Sequence, residues 1–186
     1  ECLVGSEMCI RDSMRSINKI FEDVVKRVAE KYGSNVSFLF GDWAYISSQL
    51  TEWGKSSSTC KFKFPIICLY SPFTEDRTAP KRTVSLEFII MVNTLKEYTN
   101  EDRERTSFEQ ILRPIYDLFI EEIKKDRSID VEFKDNIPHL YTENYRYGRV
   151  GVIGEDGKPF SDFIDAIEIK QMNLKIKDIK CYGNRL

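Results

Sequence analysis

The sequence predicts an α+β domain, a mainly antiparallel sheet with two amphipathic helices packed on it. Three observations carry that expectation. Residues 82–94 alternate as a central strand does: Val84, Leu86, Phe88, Ile90 and Val92 take one face, and Ser85, Glu87, Ile89, Met91 and Asn93 the other. The first face is wholly apolar and the second is apolar only in its middle, which suits a strand with helices on one side and partial cover on the other. Two stretches, 16–32 and 108–123, repeat apolar residues at helical spacing. Finally, the alternating run 160–177 changes phase near Lys170 and Gln171, from odd positions (Phe163, Ile167, Ile169) to even ones (Met172, Leu174, Ile176). That flip predicts a bulge or a break between two strands.

Taken in order, 16–32 is a helix whose stripe is Ile17, Ile20, Phe21, Val24, Val25, Val28 and Tyr32. Ser13 or Ser16 caps its start, and Gly33 suits the position after its end. Residues 35–40 form a short strand broken by Gly41 and Asp42. In 43–53, Trp43, Ile46, Leu50 and Trp53 could share a helical face, and 54–59 reads as an exposed loop. Residues 61–70 form a strand with Phe62, Phe64, Ile66, Cys68 and Tyr70 on one face; Pro65, which has no N–H, belongs at an edge or bulge. The turn-rich stretch 71–81 joins it to the central strand as an antiparallel hairpin with a long loop.

The charged stretch 96–105 reads as loop or frayed helix, and Thr106 to Glu109 resembles a capping box. Phe108, Ile111, Leu112, Ile115, Phe119 and Ile123 then follow as the second long helix, with Pro114 kinking it or dividing off its first turn. A strand starts at 129–133. Another spans 145–153, where Gly148 and Gly151 hint at a bulge, and 154–157 is a turn. No repeat or low-complexity linker divides the chain, so 14–178 is expected as one domain and 179–186 as a loosely held tail.

Residues 3–13 resemble the translated end of a transposase-type sequencing adapter, whose last bases read in frame give Met8-Cys9-Ile10-Arg11-Asp12 and the start of Ser13. The segment 1–13 is therefore set aside as non-native, and Met14 is the expected start. The whole chain has 28 basic and 30 acidic residues; without Arg11, Glu1, Glu7 and Asp12 the balance is 27 of each. A neutral chain has no global field drawing it to nucleic acid or an anionic membrane, so neither is an expected partner. Outside the first segment, Cys60, Cys68 and Cys181 are an odd number without CxxC spacing, which argues against a disulfide framework and a zinc site. No apolar run approaches a membrane span, and no metal or cofactor is expected.

The chemistry-bearing residues are sparse. Glu168-Ile169-Lys170 with an upstream acid (Asp156, Asp162 or Asp165) fits a magnesium-dependent nuclease, in which the carboxylates hold the ion and the lysine meets the phosphate. The same pattern is what an exposed strand face looks like. His139, the only histidine, has no identifiable triad partner, and 56–58 carries serines outside any nucleophile elbow. Gly148, Gly151 and Gly154 make no phosphate loop, because no helix follows. Tyr145, Arg146, Tyr147 and Arg149 interleave aromatic and basic residues. An RNA-binding strand does so, and so does a half-exposed strand at a protein interface, which is the reading taken.

The element order resembles that of the small α/β proteins at the neck of tailed bacteriophages: tail terminators, tail-completion proteins and head–tail joining proteins. The likeness covers 16–177 and rests on the opening amphipathic helix, the strand around Lys63 to Leu69, the long loop to Arg82, the second helix and the closing run from Ile164 to Ile176. It is one of layout and contains no signature motif. The resemblance implies a non-enzymatic virion protein that forms a homo-oligomeric ring, often hexameric, bound to tail-tube and head-connector proteins. The partner contacts expected on that basis are Phe73, Arg77 and Lys81 in the loop and Tyr145, Tyr147 and Arg149 on the later strand. The alternatives are the nuclease using Glu168 and Lys170, or a small cytosolic binding module of a mobile element.

Overall fold

The computed structural model of the chain describes residues 15–78, 81–130, 136–147 and 163–177. The segment 1–13, the 131–133 part of the expected strand, Gly148, Gly151, the 154–157 turn, Asp156, Asp162, Cys181 and the 179–186 tail lie outside the described residues.

The first helix, α1 (Ile17–Tyr32), starts at Ser16, whose hydroxyl accepts from the Lys19 N–H, and ends at Gly33 with φ 74°, a left-handed position that glycine adopts freely. Its stripe from Ile17 to Val28 is buried. Strand β1 (Ser37–Gly41) follows. Helix α2 (Trp43–Gly54), capped by Asp42, then buries Ile46 and Leu50. The four-residue turn α3 (Ser57–Cys60) replaces the expected loop, and Ser56 caps it. Strand β2 (Ile66–Tyr70) begins only after Pro65, whose carbonyl accepts from Ser37 while its missing N–H falls before the paired residues. A short strand β3 (Glu75–Asp76) precedes the central strand β4 (Arg82–Asn93).

The second long helix starts earlier than the sequence predicts. Its capping box is Thr99 with Asp102, and α4 (Asn100–Arg103) runs directly into a segment, Glu104–Leu112, whose hydrogen bonds widen to i→i−5, and then into α5 (Arg113–Lys125). Thr106 is inside this helix: its hydroxyl donates back to the Asp102 carbonyl instead of capping a new start. Pro114 lies in the first turn of α5, where its missing N–H costs the Gln110 carbonyl its usual donor; the Tyr32 hydroxyl approaches that carbonyl at 3.4 Å. Strands β5 (Ile129–Asp130), β6 (Leu140–Tyr147) and β7 (Ile164–Ile176) complete the set.

These seven strands form one sheet in the order β1-β2-β4-β7-β5, with β3 also paired to β4 and β6 to β7. Only β1 and β2 run parallel. Strand β4 is central, flanked by β2 and β3 on one side and by β7 on the other. The phase change in β7 is a bulge within one continuous strand: Lys170 and Gln171 together face Glu87, and Gln171 takes φ 55°. The bulge keeps Ile167, Ile169, Met172, Leu174 and Ile176 on one face, the one covered by α1 and α5. At its centre Phe21, Phe88 and Phe119 meet with ring centroids 4.7–6.2 Å apart. The opposite face buries Ile66, Cys68, Ile89, Met91, Ile164 and Ala166 beneath a third helix, α2. Partial cover of the second face is thus a helix, where the sequence left the assignment of 43–53 open.

Candidate functional site

The expected contact residues do not gather into one patch. Phe73 is half-buried against the first core. Arg77 pairs with its own neighbour Glu75 at 2.7 Å, and Glu75 also pairs with Arg82 at 3.3 Å. Lys81 pairs with Asp130, which Lys177 also approaches, at 3.3 Å. The stretch 71–78 is therefore folded back along β4 through β3.

Tyr145 and Tyr147, both expected as partner contacts, lie on opposite faces of the sheet. Strand β6 bulges between Asn144 and Tyr147, Arg146 takes φ 64°, and its N–H donates to Asp165 at 3.0 Å. Tyr145 consequently stacks on Phe108 at 4.3 Å on the helix side and donates to Glu104. Tyr147 crosses to the second face, 3.1 Å from the Tyr70 hydroxyl and edge-on to Trp43. Arg149 lies outside the described residues.

Polar side chains beside β6 are committed to one another. Arg113 holds Glu143 through two hydrogen bonds, at 2.8 and 2.9 Å, and Glu104 through a third at 2.6 Å. The Arg113 hydrogen bond pulls the Glu143 carboxyl below its ordinary value, and Arg113 followed by Tyr145 does the same to Glu104. Burial, then the bond to Glu104, pushes the Tyr145 hydroxyl up to about 12. His139 is 2.8 Å from the Tyr116 hydroxyl and 2.6 Å from the Ile137 carbonyl oxygen, so both ring nitrogens are in use. Deeper in, Arg103 and Asp165 are fully buried and paired at 2.8 Å, and the same guanidinium donates to the Leu95 and Tyr98 carbonyls. This one arginine ties the turn after β4, the start of the long helix and β7 together.

The nuclease pattern loses one of its three acids here. Asp165 points to the helix side and is bound to Arg103, whereas Glu168 points to the other face, where Asn144 and Lys170 both donate to it. Successive strand residues face opposite ways, so an odd separation parts the two carboxylates. Among the described residues, no group of three or more His, Cys, Asp and Glu side chains could hold a metal ion. No helix of theirs is long and apolar enough to cross a membrane. Burial pushes the Cys68 thiol up, away from the reactive thiolate.

No protein-family model matches the chain, and no curated protein matches its sequence.

What the geometry leaves available is backbone. Among the described residues β1 pairs only with β2, and β6 only with β7. Ser37 donates to Pro65 at 3.1 Å and the Gly41 carbonyl accepts from Ser71 at 3.0 Å, so these residues turn their polar backbone groups inward. Alternate residues of a strand turn them the other way, which leaves the N–H and C=O groups of Phe38 and Phe40 on the outer edge. A groove of about 400 Å³ runs beside that edge, lined by Phe38, Phe40 and Tyr45 and by Ser16 and Asn18 of the α1 start. The Asn18 Oδ1 is shielded from solvent without a hydrogen-bond partner. Phe40 is 48% exposed; at the other edge Leu140 is 53% and Tyr141 39% exposed. The sequence offered a signal for β1, an uncharged Ser-Phe-Leu-Phe-Gly run with no proline, the composition of an unprotected edge. It offered none for the start of β6, because Leu140 and Tyr141 stand beside Pro138 and His139 in what reads as a turn.

Proposed function

We propose that this chain is a non-enzymatic structural subunit that closes into an oligomeric ring, in the manner of the tailed-phage neck proteins its layout resembles, and that it acts in the virion by capping the tail tube or joining tail to head. The observation that supports this reading is the pair of sheet edges, β1 and β6, that stay unpaired among the described residues and carry exposed aromatic or aliphatic side chains. Soluble monomers blunt such edges with charge, proline or cover. A subunit that meets its neighbours through them has no need to. The acids and bases beside β6 and at Arg103 are used in internal pairs, which suits a rigid building block. The test is native mass spectrometry of the full chain, with particles from the same sample imaged by electron microscopy. A closed ring of fixed copy number is expected. A monomer at every concentration would overturn the reading.

A further inference from the structure

Resting on the ring reading, we infer that the subunits join edge to edge, the β1 edge of one copy adding to the β6 edge of the next, so that the sheet runs on from copy to copy. Strand direction favours this junction. Strand β1 is parallel to β2, β2 and β7 are both antiparallel to β4, and β6 is antiparallel to β7. Thus β1 and β6 run in opposite directions within one subunit. Two copies in the same orientation then bring β6 and β1 together as an antiparallel ladder, the more stable kind, without turning either copy over. The contact is head to tail, and a head-to-tail contact that closes gives a ring.

The side chains agree with the backbone. On the helix side β1 offers Phe38 and Phe40, whose rings are 6.3 Å apart, and β6 offers Tyr141, which leans edge-on against Tyr116 of α5 at 4.8 Å. Aromatic cross-strand pairs of this kind stabilise antiparallel ladders. The groove beside β1 leaves room for an incoming strand beside the start of α1.

The test uses two variants of the full chain, Phe40→Lys and Tyr141→Lys. Each places a charge on one edge, at a side chain that is already exposed, so folding should survive; circular dichroism checks this. If either variant misfolds, Phe40→Glu and Leu140→Lys take their places. Each variant alone is expected to be a monomer by native mass. Mixed in equal amounts they are expected to form a heterodimer and nothing larger, because the intact β6 edge of one meets the intact β1 edge of the other. Rings that persist in either variant would overturn the edge junction while leaving the ring reading standing. A homodimer of one variant would overturn it in favour of a symmetric contact. A monomeric wild-type chain would overturn both.

Discussion

The two faces of the sheet are built to different standards. The helix face is covered by α1, α5 and the Glu104–Leu112 segment that leads into α5, and its core draws on residues from Ile17 to Ile176. Ion pairs lock the two helices over it: Arg27 holds Glu122 at 3.0 Å and Asp126 at 2.7 Å, and Lys31 reaches Glu122 at 2.5 Å. Among the described residues the other face has a smaller apolar centre under α2 and is finished by polar aromatics, Tyr70 and Tyr147, and by Glu168. One face therefore carries the stability, and the other is a lighter cover. The difference can be measured by one large-to-small substitution on each face.

The largest effect should come from Phe88→Ala, which empties the middle of the Phe21–Phe88–Phe119 cluster. A loss of about 3–5 kcal/mol is expected in denaturant unfolding. Leu50→Ala on α2 removes one of the few apolar side chains on the second face, and a loss of about 2 kcal/mol is expected, at the low end for such changes because a single overlying helix can settle into the gap. Equal losses at the two sites would erase the distinction between the faces.

Glu122→Gln tests the helix lock. Burial pushes the Glu122 carboxyl up, but the bonds from Lys31 and Arg27 more than offset this, and its net shift is downward. A depressed carboxyl contributes stability that is present above the ordinary glutamate range and lost as pH falls through the lower folded value. The variant should be less stable near neutral pH by about 1–2 kcal/mol, since Arg27 and Lys31 are partly exposed. It should also show a weaker fall in melting temperature below pH about 4. An unchanged acid limb would remove Glu122 from the account. The smallest effect is expected for Tyr70→Phe, which deletes the Tyr70–Tyr147 contact and should cost about 1 kcal/mol.

Much of the helix face was legible in the sequence, because local signals and burial agree there. Ser16 and Gly33 bound a clean stripe, and the phase flip at Lys170 and Gln171 pointed to the bulge, though a break between two strands fitted it equally. The second face was less legible. Helix α2 is short, half its face is polar, and it ends in glycine, so only the sheet beneath it decides its state. Residues 96–105 read as loop or frayed helix because they are charged, but Arg103 and Glu104 spend those charges on Asp165 and Tyr145, partners far away in sequence, and on Arg113 in the following helix. The separation of Tyr145 from Tyr147 rests on a positive φ at Arg146, a residue type that gives no warning of it. Edge positions share this limit: which strand is outermost is a property of the whole topology.

Amide hydrogen exchange at two protein concentrations, resolved to single residues in β1, tests the edge junction most directly. The Leu39 amide, turned inward to β2, should be protected at both. The Phe38 and Phe40 amides should be protected in the concentrated, assembled sample and exchange rapidly on dilution to monomer. Outer-edge amides that exchange equally fast in an assembled sample would contradict the account, because the copies would then be held together by some other surface.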